Sequence, residues 1–442
     1  MKQTIKNILG VSNTRKVGLA LKYVKVSTNR FIRPVLGHPA MLPTFSTRIF
    51  ALPEAHMFFG YYDLPQFSCD ENLVLATAVP LINQSPTSSH IMKLGYFDIR
   101  DAKPKFNVFG QTSTWCWQQG CRLQWYPFHG NSVVLYNTML DGGYGCVLQN
   151  IFNGEIIKSF QRPIYAVSCD GHFGLSLNFA RLQRLRPGYG YGLLPDETKN
   201  DLMPDSDGIW RIDMKTGEEK MLFSTLDIAE ILKKRANSSA PHYFNHILFN
   251  ISGTRFMFFH IQQLSHGARQ INMLSSNIEG NDIFVLNASG HASHYTWKDD
   301  NHLLCYSTVT GKGEGYFIYK DRSDEIWQLG KNTLFEDGHP SYVPTGRQLI
   351  TDTYPDKYSE QALLLYDYND DKLIVLDREY NPVRVDGETR CDLHPRVSPS
   401  GRYVSIDCII KGKRIMKIFD ISSFIKSGHT AQFAMSNNEH FK

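Results

Sequence analysis

The chain has 442 residues, of which 42% are hydrophobic and 12% aromatic. This composition excludes a largely disordered protein, and the lack of any run of about 20 apolar residues argues against a helix that crosses a bilayer. The net charge of +4 is unevenly distributed, because residues 1–53 contain nine Lys or Arg and the first acidic residue is Glu54. The charge pattern therefore predicts a basic N-terminal arm over residues 1–53.

The arm mixes its basic residues with apolar ones such as Ile5, Leu9 and Leu19. Two interpretations are equally open. The arm forms a partly amphipathic helix on an anionic membrane surface, or it packs on the remainder of the chain, which is acidic. Outside the arm the charge is diffuse and forms no basic stripe, so we expect no nucleic-acid partner.

The chain contains 8 Cys, and their spacing is not that of a zinc site. Several fall in apolar segments that read as strands, such as Cys305 and Cys408. Buried thiols of this kind are typical of a reducing compartment. We therefore expect a cytoplasmic protein, with peripheral contact at the inner membrane face if the arm binds lipid. The sequence carries no signal for an oligomeric state.

A tight turn followed by an apolar strand recurs along the chain. Its seven copies are SCDENLVLATA, PFHGNSVVLYN, SCDGHFGLSLN, ISGTRFMFFH, KDDNHLLCYS, PTGRQLITD and SPSGRYVSID. A Gly or Asn at the tip supplies the positive φ that such a turn needs. An alternating strand follows each copy, as LGYFDIRD, CVLQNIFNGE, IWRIDMKTGE, IFVLNASG, YFIYKDRSD, LLLYDYNDD and MKIFDISS.

Two hairpin-like units in each repeat give four strands. We therefore predict an all-β protein, a single seven-bladed β-propeller with four-stranded antiparallel blades over residues 54–430. Residues 431–442 are expected to form a C-terminal tail. Helical periodicity is strong only over residues 227–236, which predicts one short helix inserted at the rim.

Four of the turns share a histidine that strand periodicity does not require. It lies seven residues before the turn residue in each of the last four repeats, at His246, His294, His339 and His394. This position begins the innermost strand of a blade, so the four side chains are expected to converge on the central axis. Imidazole is a common ligand for divalent metals. The pattern favours a metal site over a metal-free histidine cluster, and it leaves Zn, Fe, Ni and Ca open beside Mn.

The first three repeats lack this histidine. Their matching positions are Leu64, Leu123 and Ile164, so we expect a lopsided site that is open toward these blades. Asp337 and Asp392 lie two residues before His339 and His394. They are expected to orient imidazoles from outside the metal shell, although each also reads as an ordinary turn residue.

Around these histidines the chain resembles the oligogalacturonate lyase family. The resemblance rests on HILFNISGTRFMFFH (246–260), SHYTWKDD (293–300), DGHPSYVPTGRQLITD (337–352) and LHPRVSPSGRYVSID (393–407), in about the C-terminal half. It implies a TolB-like seven-bladed propeller with an axial metal, usually manganese. It also implies that His246, His294, His339 and His394 form the metal site and that His260 is the general base, with His242 nearby. The family's acidic and glycine residues after His260 are absent, and one of its ligands is usually Gln.

The activity implied is β-elimination on a uronic acid, with a metal stabilising the charge that develops on the carboxylate and a neutral His removing the C5 proton. Arg390 and Arg396 flank His394 and are candidates to clamp carboxylates, although a blade-to-blade ion pair is equally open. Tyr354 is a candidate sugar-stacking residue or proton donor. The basic arm fits an acidic bacterial envelope polysaccharide, or its lipid-linked precursor, better than pectin.

Two other functions remain open on the sequence. One is an envelope-glycan biosynthetic enzyme, a transferase or an epimerase, that uses the same axial site. The other is a non-catalytic propeller that binds glycans or proteins, because fold alone does not choose a function. The histidine pattern favours chemistry over a scaffold.

Overall fold

The computed structural model describes residues 18–31, 42–127, 129–344 and 346–425. Its strands form seven antiparallel sheets of four strands each, which confirms the predicted seven-bladed propeller. The predicted turns join the first and second strands of their blades. At Gly253 and Gly401 φ is 73° and 81°, a region that glycine enters without steric cost.

The first three blades run from the innermost strand to the rim in chain order. Blade 1 contains β2 (His56–Phe58), β3 (Leu73–Val79), β4 (Met92–Asp98) and β5 (Asn107–Thr112). Blade 2 contains β6 (Gln124–Trp125), β7 (Val133–Leu140), β8 (Gly143–Asn150) and β9 (Ile156–Phe160). Blade 3 contains β10 (Ala166–Val167), β11 (Phe173–Ser176), β12 (Gly208–Asp213) and β13 (Glu219–Ser224).

The next three blades repeat this order. Blade 4 contains β14 (His242–Phe249), β15 (Arg255–Gln263), β16 (Arg269–Asn277) and β17 (Phe284–Gly290). Blade 5 contains β18 (Ala292–Trp297), β19 (His302–Val309), β20 (Gly313–Lys320) and β21 (Ile326–Leu329). Blade 6 contains β22 (Ser341–Tyr342), β23 (Gln348–Asp352), β24 (Glu360–Asp367) and β25 (Lys372–Tyr380).

Blade 7 is closed by a strand from the other end of the chain. Its inner strands are β26 (Arg396–Val397), β27 (Tyr403–Ile410) and β28 (Lys413–Asp420), and its outer strand is β1 (Thr47–Phe50). Phe50 of β1 pairs with Met416 of β28. Because β1 lies within residues 1–53, the boundary drawn at residue 54 on charge alone was wrong: the propeller already includes β1. The tail predicted for 431–442 lies outside the described residues.

In the described ranges, three α-helices accompany the strands: α1 (18–31), α2 (Phe179–Leu185) and α3 (Thr225–Leu232). The 3₁₀ turns are Lys233–Arg235, Ser265–Gly267, Gly387–Thr389 and Ser422–Phe424. α3 and the first of these turns correspond to the helix predicted at 227–236. α3 begins with a capping box between Ser224 and Asp227, which satisfies backbone N–H groups in its first turn. None of the helices in the described ranges has the length and apolar character needed to span a bilayer.

Candidate metal centre

The four predicted histidines are all buried, in blades 4 to 7. His246 lies in β14 and His294 in β18, each where the pairing register of the strand shifts. His339 and His394 precede the short inner strands β22 and β26. His246 and His394 adopt positive φ values of 58° and 46°, which non-glycine residues rarely do. The irregular backbone sets the direction of these side chains.

Three of the four imidazoles form a continuous group. The ring centroids of His294 and His339 are 3.9 Å apart, and those of His339 and His394 are 4.4 Å apart. His339, His394 and Asp392 each offer a ligand atom, and these atoms lie within 4.8 Å of one another. An ion with bonds of about 2.1 Å spreads its ligands over roughly 4 Å, so a small inward shift would let the three groups share one metal.

The Nδ1 atoms of this group are held by acceptors around it. His339 Nδ1 donates to Asp352 at 2.8 Å, His394 Nδ1 to the carbonyl oxygen of Gly60 at 2.9 Å, and His294 Nδ1 to Asp337 at 2.9 Å. A proton on Nδ1 leaves the lone pair on Nε2, which is how outer partners prepare histidines for metals. Asp337 thus orients His294 rather than His339, whose partner is Asp352.

The atoms that remain free fit a metal ion. His339 Nε2, His394 Nε2 and Asp392 Oδ1 are buried and have no hydrogen-bond partner among the described residues. Buried polar atoms are rarely left unpaired, because their desolvation is then uncompensated. Three such atoms of ligand type in one group make a candidate site for a divalent cation. Asp392 therefore joins the candidate ligands, whereas the sequence suggested that it only orients an imidazole.

His246 stands apart from this set. Its ring stacks on Tyr61 with centroids 5.2 Å apart, and its Nδ1 lies 3.4 Å from the hydroxyl of Tyr165. Tyr61 also contacts His394, with ring centroids 4.9 Å apart. The structure thus brings together His294, His339 and His394 with Asp392, which we call the axial group. It places His246 against Tyr61, beside this group.

The electrostatic surroundings suit metal binding. Burial lowers the pKa of His394 well below its usual value, and nearby His339 and Arg396 add to the effect. Burial likewise lowers the pKa of His294, although Asp337 opposes it. Burial alone would raise the pKa of Asp392, but Arg390 and the neighbouring histidines outweigh it and lower that pKa. Neutral imidazoles and an ionised carboxylate are the forms that bind a cation.

The predicted base lies elsewhere. His260 in β15 and His242 in β14 are buried in blade 4, with His260 Nε2 and His242 Nδ1 3.1 Å apart. His242 Nε2 donates to the carbonyl oxygen of Asn237 at 2.9 Å. Neither residue lines the cavity beside the axial group. The places of His260 and His242 thus give no support to the roles expected for them, because both rings are buried within blade 4 and neither lines this cavity or the one beside it.

The two predicted arginines have different surroundings. Arg390 lines the cavity beside the axial group, and its Nε donates to Asp392 at 2.6 Å. Arg396 is buried, and it donates to Asp407 at 2.6 Å and to the carbonyl oxygen of Gly60. Arg396 therefore forms an ion pair within blade 7 rather than the blade-to-blade pair that was the alternative interpretation, and this pair leaves it poorly placed to clamp a substrate. Tyr354 lines the cavity, with its hydroxyl 3.5 Å from His294 Nε2.

A cavity of about 510 Å³, which we call the axial cavity, opens beside the group. Its lining includes His246, His294, Asp337, Tyr354 and Arg390, together with Arg186 from the segment between β11 and β12 of blade 3. The cavity thus lies mainly against blades 4 to 7, and the opening expected toward blades 1 to 3 stays a prediction. On that side, Arg122 and Asp63 form a buried ion pair at 3.1 Å, and the ring of Tyr165 covers the guanidinium at 4.1 Å.

Sequence reasoning missed Asp352 and Tyr61. Asp352 ends the strand QLITD, thirteen residues after the histidine it holds, and an acid at a strand end is too common to stand out. Tyr61 comes from blade 1, and its role depends on a contact with the last blade. The segment FFGYYD (58–63) was a usable signal, because four of its six residues are aromatic, against one in each of the matching segments WQQGCR (117–122) and KSFQRP (158–163).

Two solved structures share this architecture. Oligogalacturonate lyase from Vibrio parahaemolyticus superposes with a TM-score of 0.59 at 11% identity, covering 88% of this chain and 100% of that one. An oligogalacturonate lyase in complex with manganese gives 0.59 at 15% identity, covering 86% and 96%. No protein-family model and no curated protein matches the sequence. At these identities, the similarity establishes a shared propeller fold.

Proposed function

We propose that the protein is a metal-dependent lyase that cleaves a uronic-acid-containing glycan by β-elimination. The observation that carries the proposal is the group of unpartnered, buried ligand atoms on His339, His394 and Asp392 beside a cavity lined by arginine. The fold shared with oligogalacturonate lyases, one of them a manganese complex, adds support.

His339, His394 and Asp392 would hold the ion, and we propose manganese. When bound, a divalent metal supplies Lewis-acid stabilisation of the charge that develops on the uronate carboxylate. Arg390 is placed to orient that carboxylate. Asp392 and the hydroxyl of Tyr189 fix its guanidinium, and a fixed guanidinium binds a carboxylate with little loss of entropy.

We assign proton transfer to His294 and Tyr354 in place of His260. Burial lowers the pKa of His294, so the imidazole is neutral and can accept the C5 proton at Nε2. Its Nδ1–H is held by Asp337 at 2.9 Å, which stabilises the imidazolium that forms, as in other histidine–carboxylate pairs. Burial raises the pKa of Tyr354 well above its usual value, so its hydroxyl keeps a proton to donate to the leaving C4 oxygen.

The test is elimination by the manganese-loaded protein. We expect polymers of galacturonate, glucuronate or mannuronate to yield an unsaturated uronate, read by ultraviolet absorbance. His294→Gln and Tyr354→Phe should each lower kcat by about 10²-fold or more, whereas Arg402→Gln, which alters an exposed ion pair, should be as active as the wild type. Bound metal without any absorbance change on these polymers would contradict the lyase proposal and favour the biosynthetic enzyme.

We also propose that the basic arm makes peripheral contact with an anionic membrane, at its cytoplasmic face. Helix α1 exposes Leu21, Val24 and Phe31 to 66%, 61% and 86%, and at these positions they share one face. Lys25 flanks this face, and Arg30 fixes the helix to blade 6 by stacking on Tyr380 at 4.3 Å. Apolar side chains beside lysines suit anionic lipid.

The test is co-sedimentation with vesicles of phosphatidylglycerol. The wild type should sediment with the vesicles, and Val24→Glu should reduce the bound fraction severalfold. Equal sedimentation of the wild type and the variant would contradict the membrane contact.

A further inference from the structure

A second cavity adjoins the axial one. This outer cavity has a volume of about 780 Å³, and its lining includes Gln84, Pro187, Gln263, Arg384 and Glu388. Both cavities fall in the range of roughly 300–1,000 Å³ that is usual for ligand pockets. They share four residues, which are Arg186, Gly267, Arg269 and Arg390. A ligand bound at the axial group and extending outward would therefore pass arginines.

Arg186 and Arg269 bring two positive charges to this junction without an acid between them. Neither forms an ion pair with an acidic residue in the described part of the chain. Arg186 lowers the pKa of Arg269, and this effect exceeds that of burial. Like charges held close together are unfavourable unless an anion offsets them, so the pair is arranged for a ligand rather than for the stability of the fold.

Arg186 is held in place by its neighbours. Its backbone N–H donates to the carbonyl oxygen of Leu182 at 2.7 Å and ends α2, and its guanidinium lies 4.1 Å above the ring of Tyr189. Its Nε atom is buried and has no hydrogen-bond partner in the described structure. The stacking leaves the edge of the guanidinium for an acceptor, and the unpaired N–H is a donor that a bound oxyanion would satisfy.

The acids of the outer cavity do not neutralise the pair. Glu388 accepts hydrogen bonds from Gln183 at 2.9 Å and from Ser85, and Asp386 accepts one from the backbone N–H of Gly387 at 2.8 Å. Their carboxylates are thus engaged with neutral groups.

We propose that Arg186 and Arg269 form a binding site for a phosphate ester carried by the ligand, next to the sugar unit at the axial group. One guanidinium suffices for a carboxylate, whereas a phosphate monoester carries about −1.5 to −2 charges at pH 7 and three acceptor oxygens, which two guanidiniums match. The place of the sugar unit rests on the proposed function. Binding of the phosphate does not, and it can be measured without turnover.

The experiment is calorimetric titration of the full-length, metal-loaded protein with glucose 1-phosphate. We expect Arg186→Gln and Arg269→Gln each to weaken binding about tenfold or more, as for loss of a hydrogen bond to a charged group. Arg186→Lys keeps the positive charge but not the paired N–H donors of the guanidinium, so it should weaken binding less than Arg186→Gln does. Arg100→Gln removes a charge from an exposed rim pair and should change nothing. Equal affinity of the wild type and both Gln variants would overturn the proposal.

Two further titrations separate this site from the metal centre. His339→Ala should bind glucose 1-phosphate as the wild type does; loss of binding there would place the phosphate on the metal and overturn the proposal. Galacturonate should show the reverse. Its binding should be lost in His339→Ala and kept in the two Arg→Gln variants, because its carboxylate is assigned to the axial group.

Absence of elimination together with retained phosphate binding would refute the lyase proposal and leave the phosphate site. Vesicles of phosphatidic acid that displace glucose 1-phosphate would assign the phosphate to a lipid, and vesicles without effect would assign it to a soluble ester.

Discussion

The axial histidines and the His242–His260 pair are all buried in one propeller, yet they have opposite hydrogen-bonding states. In the pair, the two rings bond to each other at 3.1 Å, and the outer nitrogen of His242 donates to a backbone carbonyl at 2.9 Å. In the axial group, His339 and His394 bond through Nδ1 alone and leave Nε2 buried and unpaired. A candidate ligand is therefore recognised by what its ring leaves unsatisfied, not by burial or by the number of neighbouring histidines.

The strongest test of this difference is deletion of one ring from each group. His339→Ala and His394→Ala each remove one of three candidate ligands, so we expect the purified protein to lose its metal almost completely. His260→Asn should keep a full complement, because neither of its ring nitrogens faces the axial cavity. Elemental analysis after dialysis against manganese measures both. Equal metal content in the His339→Ala and His260→Asn variants would abolish the distinction.

The acceptors that hold the N–H groups of the axial histidines should have the next largest effect on metal affinity. Asp352 receives His339 Nδ1–H at 2.8 Å and the backbone N–H of His394 at 3.2 Å. Asp352→Asn keeps the shape but removes the charge that fixes both, and the loss of such outer partners typically costs about 10- to 100-fold in metal affinity. Competition with a fluorescent chelator measures it. Asp321→Asn, which also alters a buried acid but one paired with Arg255, is the matched control and should bind metal as the wild type does.

The sequence predicts the repeated blades of this fold, but it does not predict the contacts that form when the ring of blades closes. Repeated turns predict the blades, and a fixed distance of seven residues from the turn predicts that four histidines meet, since equivalent positions of a propeller share one depth. His294, His339 and His394 do meet, whereas His246 lies apart against Tyr61. The partner of each Nδ1 follows no such period. Gly60 reaches His394 only because β1 closes blade 7 and brings blade 1 against it. Contacts of this kind form only in the assembled ring of blades, so the local sequence pattern cannot predict them.

The His242–His260 pair should in turn matter for stability. His260 is fully buried, and its replacement by Asn leaves His242 Nδ1 without its partner. An unsatisfied buried polar group costs about 1–3 kcal/mol, so we expect His260→Asn to lower the free energy of unfolding by this amount in urea titrations. Phe244→Leu, beside the same ring, controls for the loss of packing alone. Metal loss in the His260→Asn variant without loss of stability would reverse the roles of the two groups.

The smallest expected effect is a pH dependence that belongs to the pair. Burial, reinforced by His242, lowers the pKa of His260 well below its usual value, whereas in the unfolded chain it titrates near pH ~6.5. As the pH falls from 7 to 5, the unfolded state therefore takes up a proton that the folded state does not, and the free energy of unfolding decreases by up to roughly 2 kcal/mol from this residue. His260→Asn lacks this contribution, so the stability difference between wild type and variant should shrink toward pH 5. Parallel profiles of the two proteins, measured after metal removal so that the axial group contributes equally, would show that His260 is not held neutral by its surroundings.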